Sequence, residues 1–225
     1  MRTRDRSASI VVLAAAVGVI GAAGAAQADP FISFRFGELS GDYVYESGVG
    51  GGAFTAAAVT NDAHVSNGDI TRLDDRPGTG EFDPGFTLFD PFAVQVVLNI
   101  TDIAGDMALA TGSVLIADGD GDTLTADING VLTRVGSTQF FNGQSTNFAF
   151  SGAGDMFDGT DGAIMIDDLK GQFYTGAVSF EFDASSLTQD FAEVTTNIDG
   201  LLIPSPAILV PFLAYFGYTG RRWRG

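Results

Sequence analysis

From Phe92 to Ile100 every second residue is apolar: Phe92, Val94, Val96, Leu98 and Ile100 alternate with Ala93, Gln95, Val97 and Asn99. A period of two places one set of side chains on one face of an extended strand, whereas a helix would scatter that set around its circumference. The same period recurs at Ile32, Phe34 and Phe36, at Leu124, Ala126 and Ile128, and at Val178, Phe180 and Phe182. Met107 to Ala117 is a further apolar run, and Ala53 to Val59 reads as a short strand. Beyond Gly130 the apolar set moves to Val131, Thr133 and Val135, which predicts a bulge. Asn142-Gly143, between Gln139–Phe141 and Asn147–Phe150, reads as a hairpin turn. Residues 61–86, rich in Asn, Asp, Gly and Pro, read as a long irregular loop, and only Ser185 to Val194 reads as a short helix. Nine or ten strands separated by Gly/Asp turns, without strand–helix alternation, predict an all-β chain: an antiparallel β-sandwich of jelly-roll type.

Composition narrows what such a sheet protein does. The chain has no cysteine, which excludes disulfides, takes the main ligand from zinc sites, thiol catalysis and iron–sulfur clusters, and leaves burial to hold the core. Its 19 phenylalanines are enough to fill one. A formal net charge of −17 repels nucleic acid and anionic lipid. Glutamate supplies only five of the 28 acidic residues, and aspartate is a turn former, so the acids are expected in loops.

The two ends read differently from the middle. Arg2, Arg4 and Arg6 precede an apolar Ala/Gly/Val-rich stretch from Ile10 to Ala26, and Ala26-Gln27-Ala28 offers the small residues that signal peptidase reads. Residues 1–28 are therefore expected to be a secretory signal peptide, cleaved before Asp29. At the other end Pro204-Ser205-Pro206 leads into twelve mostly apolar residues, Ala207 to Tyr218, followed by Arg221, Arg222 and Arg224. An apolar run closed by arginines enters a bilayer and stops, because the cations stay on the cytoplasmic side. Twelve helical residues rise only about 18 Å against a hydrocarbon core of about 30 Å, so the segment is a marginal, transient transmembrane helix. The chain divides into 1–28, an acidic domain at 29–202, and a sorting or anchor segment at 203–225.

This tail resembles the PEP-CTERM sorting signal of Gram-negative bacteria, a Pro-x-Pro motif, an apolar segment and a basic terminus in that order. Pro204 and Pro206 match the two prolines, while Ser205 stands where the family usually has Glu. The resemblance implies recognition by exosortase, a membrane protease-transpeptidase. It also implies delivery to the outer envelope, the cell surface or the extracellular matrix.

One cluster in the middle looks like a site. Asp118-Gly119-Asp120-Gly121-Asp122 puts carboxylates at alternate positions with glycines between, a pattern that can fold round calcium, and Asp127 could add an oxygen from the next strand. Thr123 and Asn129 stand where an EF-hand loop has its turn glycine and its bidentate glutamate. A solvated acidic hairpin turn is the other reading. Asp155, Asp158 and Asp161 form a weaker second cluster. His64, the one histidine, sits in the polar stretch Asn61–Asn67, and no Gly-x-Ser-x-Gly elbow, phosphate loop or dinucleotide fingerprint accompanies it. The sequence thus predicts an exported, non-catalytic envelope or matrix protein without a required cofactor. The alternative is a secreted module that binds or hydrolyses polysaccharide, with Tyr43, Tyr45 and Tyr174 as sugar platforms. A line of exposed aromatics with two facing carboxylates would mark that alternative.

Overall fold

The computed structural model describes residues 32–73, 78–82, 85–86, 93–118, 121–152, 156–159, 162–165 and 174–204. Twelve strands run in chain order: β1 (Ile32–Glu46), β2 (Gly51–Ala57), β3 (Asn67–Arg72), β4 (Gly78–Phe82), β5 (Val94–Ala104), β6 (Met107–Ala117), β7 (Thr123–Val135), β8 (Thr138–Ser151), β9 (Met156–Gly159), β10 (Gly162–Met165), β11 (Tyr174–Asp183) and β12 (Phe191–Pro204). All the pairings are antiparallel. Eight strands pair in chain order, β1-β2-β5-β6-β7-β8-β11-β12, and β12 pairs back onto β1 from Ile32↔Leu202 to Tyr43↔Phe191.

The molecule is therefore a closed eight-stranded up-and-down β-barrel, and the expected jelly-roll sandwich is wrong. A sandwich needs strands that cross between two sheets, while here each barrel strand lies beside its predecessor and the last closes on the first. Closure removes the unpaired edges that a sheet otherwise exposes. The expected helix at Ser185–Val194 is also absent: residues 184–190 form a loop, and Phe191 begins β12. Asn142-Gly143 lies inside β8, and the turn before that strand is Gly136-Ser137, with Gly136 at φ +67°.

One face of each strand fills the barrel. Ile32, Phe34 and Phe36, then Val94, Val96, Leu98 and Ile100, then Leu124, Ala126 and Ile128, then Val178, Phe180 and Phe182 are all buried, as their alternation predicts. Phe92 lies outside the described residues. Across the interior, Phe54 stacks on Phe182 at 4.4 Å between ring centroids, and Phe180 stacks on Phe141 at 4.2 Å. Space for these rings comes from glycines on neighbouring strands. Gly130 and Gly143 face each other across β7 and β8, and Cβ atoms there would stand 2.7 and 2.5 Å from the Phe141 ring. That explains the apparent phase change in β7. Gly130 keeps the inward position and buried Leu132 follows it, so Val131 and Val135 face out with no bulge at Gly130. The register slip falls instead between Thr125 and Asp127, where Asn147 of β8 takes φ +54°.

The barrel ends differ. At one end the connections are short, and the β11–β12 loop, 184–190, folds under the barrel as a plug. Ala184 and Leu187 are buried. Tyr43 donates its hydroxyl to the Leu187 carbonyl at 3.0 Å, Gln139 donates its amide to the Ala184 carbonyl at 2.9 Å, and Arg134 donates to the Ser185 carbonyl at 2.7 Å. The other end carries two insertions. Residues 58–93 include the hairpin β3–β4, which replaces β2 beside the first half of β1, so 61–86 is not wholly irregular. Phe82 and Phe86 of that insertion pack on Phe36, at 5.2 and 5.8 Å. The second insertion carries the hairpin β9–β10, which lies near β4.

Candidate functional site

One concavity lies outside the barrel wall. A shallow groove of about 720 Å³ crosses β8, β11, β12, β1 and β3, where the β3–β4 hairpin carries the sheet past the barrel. Its polar lining comes from Ser33 and Arg35 of β1, Thr71 of β3, Asn142 of β8 and Ser179 of β11. Arg35 donates from Nε to Asp199 Oδ1 of β12 at 2.6 Å. That hydrogen bond and charge, with Asp69 adding, hold the guanidinium proton more firmly than usual. The groove thus sets hydroxyls, an amide and two carboxylates around one paired cation on a largely apolar lining that includes Leu73, Ala177 and Leu201.

Aromatic rings are not its floor. Tyr43 and Tyr174 are buried, and Tyr45 is half-buried against the core. The tyrosines expected as sugar platforms therefore look inward or stay largely covered.

The acidic turn between β6 and β7 folds on itself. Asp118 and Asp122 are buried, Asp118 N–H donates to the Asp122 carbonyl at 3.1 Å, and Asp122 N–H donates to Asp118 Oδ1 at 3.0 Å. Asp118 thus caps the turn through its side chain, as aspartate does in Asx turns. Asp120 lies outside the described residues. Asp127 sits five residues along β7, roughly 16 Å away at about 3.3 Å per residue, and its exposed carboxylate accepts from Asn147 Nδ2 at 2.7 Å. The structure brings Asp118 and Asp122 together but not Asp127 with them. Among the described residues no three His, Cys, Asp or Glu side chains form a metal cluster. Asp158 lies in β9, while Asp155 and Asp161 fall outside the described residues.

His64 is placed more firmly than a loop histidine need be. Its stretch closes as a small turn in which Asn61 Oδ1 accepts from the Ala63 and His64 amides at 2.8 and 2.7 Å. Buried Ser66 ties the turn to the wall: its hydroxyl accepts from Val59 N–H and donates to the Glu38 carbonyl, both at 2.9 Å. The imidazole is 7% exposed, with Nε2 3.0 Å from the Glu193 carbonyl and Nδ1 3.5 Å from Glu38 Oε2. Glu38 and Glu193 each have φ +55°, a left-handed conformation that costs an L-residue roughly 1–2 kcal/mol. Two of the four described non-glycine residues at positive φ thus meet the chain's one histidine. Glu38, Ser66 and Glu193 carried no signal in the sequence, because strand bulges are set by pairing across the β1–β12 seam.

The two terminal segments, 1–31 and 205–225, lie outside the described residues, so Ala26, Ala28, Asp29, Ser205, Pro206, Arg221, Arg222 and Arg224 have no structural account. Pro204 is the last residue of β12, paired with Tyr174, so the strand runs beyond the expected domain end at 202. Among the described residues no helix is long and apolar enough to cross a membrane.

Fold and wall together define a class: a closed antiparallel barrel with a ring-packed interior and a shallow outer groove of mixed lining. No protein-family model, no curated protein and no solved structure matches this chain.

Proposed function

We propose that the protein is an exported, non-catalytic component of the outer cell envelope or extracellular matrix of a Gram-negative-type bacterium. In this reading signal peptidase removes the N-terminal segment and an exosortase-like enzyme processes the tail. The supporting observation is the distribution of side chains in the barrel wall. Most rings and aliphatic groups face inward, while outside Asn99, Thr111, Ser113, Asp127, Asn129, Asn142 and Gln144 are exposed between scattered apolar residues such as Val97 and Leu109. A lipid-facing barrel needs an apolar outer band, so this wall is suited to water and hydrated polymers. A matrix polysaccharide would meet the groove through hydrogen bonds to Ser33, Thr71, Asn142 and Ser179 rather than by ring stacking.

The test is expression of the full chain in a Gram-negative host with and without an exosortase, followed by cell fractionation and intact-mass measurement. The proposal expects loss of residues 1–28, and loss of the tail near Pro204-Ser205-Pro206 only when the sorting enzyme is present. Replacing Arg221, Arg222 and Arg224 with serine should let the tail pass through the membrane, since their charge is the stop signal. A mature protein keeping residues 204–225 in both hosts would make the segment a plain anchor.

A further inference from the structure

We infer that His64 and Glu38 are two ligands of a zinc-class divalent cation, held where the first insertion crosses the β1–β12 seam. The argument begins with the ring's far side. A backbone carbonyl only accepts, so the 3.0 Å contact from Nε2 to the Glu193 carbonyl places a proton on Nε2. In the neutral ring Nδ1 is then a lone pair, buried and without a hydrogen-bond donor. It faces Glu38 Oε2 at 3.5 Å, beyond the range of about 2.7–3.2 Å for an N–H···O hydrogen bond. Two ligands about 2.1 Å from a tetrahedral ion stand about 3.4 Å apart, a spacing the 3.5 Å separation matches, though an ion pair takes the same distance. Metal-bound histidines characteristically donate their other ring N–H to a carbonyl or carboxylate, which fixes the ring and raises its basicity; the Glu193 carbonyl fills that role here.

The surroundings favour a cation. Glu38 is half-exposed, which leaves the remaining coordination positions to water. Asp42, accepting from the Glu193 amide at 2.9 Å, adds negative charge on the same seam. Imidazole with carboxylate suits zinc and its first-row neighbours rather than calcium, which takes oxygen ligands. The site is therefore separate from the acidic β6–β7 turn.

The chain's single histidine makes the test clean. Full-length protein carrying a tag without histidine is stripped with a chelator and titrated with zinc chloride at pH 7.5 and fixed ionic strength. Heat of binding and the nitrogen resonances of the one imidazole are followed. The expected result is one saturable zinc, a shift of the Nδ1 resonance, and affinity weakened by about tenfold or more in both His64→Gln and Glu38→Gln. Glu193→Gln should bind as the parent does, because only its carbonyl touches the ring. Should His64→Gln fail to fold, Glu38→Gln and the ring resonances decide. Zinc binding unchanged in Glu38→Gln, no saturable binding, or a metal-free ring protonated at both nitrogens would each overturn the assignment, the last making the pair a simple ion pair.

Discussion

Tyr43 shows how one side chain joins wall, core and plug. Its ring stacks on Phe191 at 5.1 Å, and its hydroxyl donates to the Leu187 carbonyl inside the loop that closes the barrel. Burial raises the hydroxyl from an ordinary 10.0 to about 12, with Tyr45, Asp190 and Glu46 adding in the same direction. The folded protein thus holds this proton more tightly than the unfolded chain does. The associated stability is complete below pH 10 and is lost as pH climbs through about 12. Denaturant melts of Tyr43→Phe should show a loss of about 1–3 kcal/mol at neutral pH, from the orphaned carbonyl. They should also show a shallower decline than the parent between pH 10 and 12. An equal decline in both proteins would place the alkaline sensitivity elsewhere. At this scale the sequence was readable for inward apolar residues, because alternation alone assigns Val94, Leu124 or Phe180 to the core. It was unreadable for Glu38, Ser66 and Glu193, whose roles come from a seam that only the folded chain brings together.

Elements were readable where their alternation was unbroken and misread where glycine interrupted it. Asn142-Gly143 has the composition of a two-residue turn, yet Gly143 sits mid-strand because the Phe141 ring occupies the space a side chain would fill. Local turn chemistry gave way to packing across β7 and β8. The loop at 184–190 was misread for a similar reason: it follows neither period and is shaped by its anchors. Arg134 is the main exposed anchor. It donates from Nε to Asp106 Oδ1 at 2.9 Å and from Nη1 to the Ser185 carbonyl, joining the β5–β6 turn to the plug. Arg134→Ala should cost about 1–2 kcal/mol, reduced by solvent screening at a partly exposed site. It should speed amide exchange across 184–190 while leaving β5 to β8 protected. Uniform loss of protection would mean that the plug and barrel open as one unit.

At the scale of the whole molecule, the all-β class was legible, but closure was not. Alternation and Gly/Asp turns are common to sandwiches and barrels. What separates them is the pairing of first strand with last, exemplified by Arg35 and Asp199, 164 positions apart. No local signal encodes such a contact. Strand length is the nearest clue, since β1, β7, β8 and β12 have 13–15 residues where strands of 5–6 are usual, but the interior glycines divided those runs. Closure also packs the interior with rings. The β1–β12 seam is therefore the feature on which the account depends most. Solution NMR of the full chain tests it directly through cross-strand proton contacts. The expected result is a continuous antiparallel ladder joining Ile32 to Leu202, Phe34 to Gly200 and Phe36 to Ile198. If β1 and β12 each give ladders to their other neighbours but none to each other, the sheet is open and the barrel reading is contradicted.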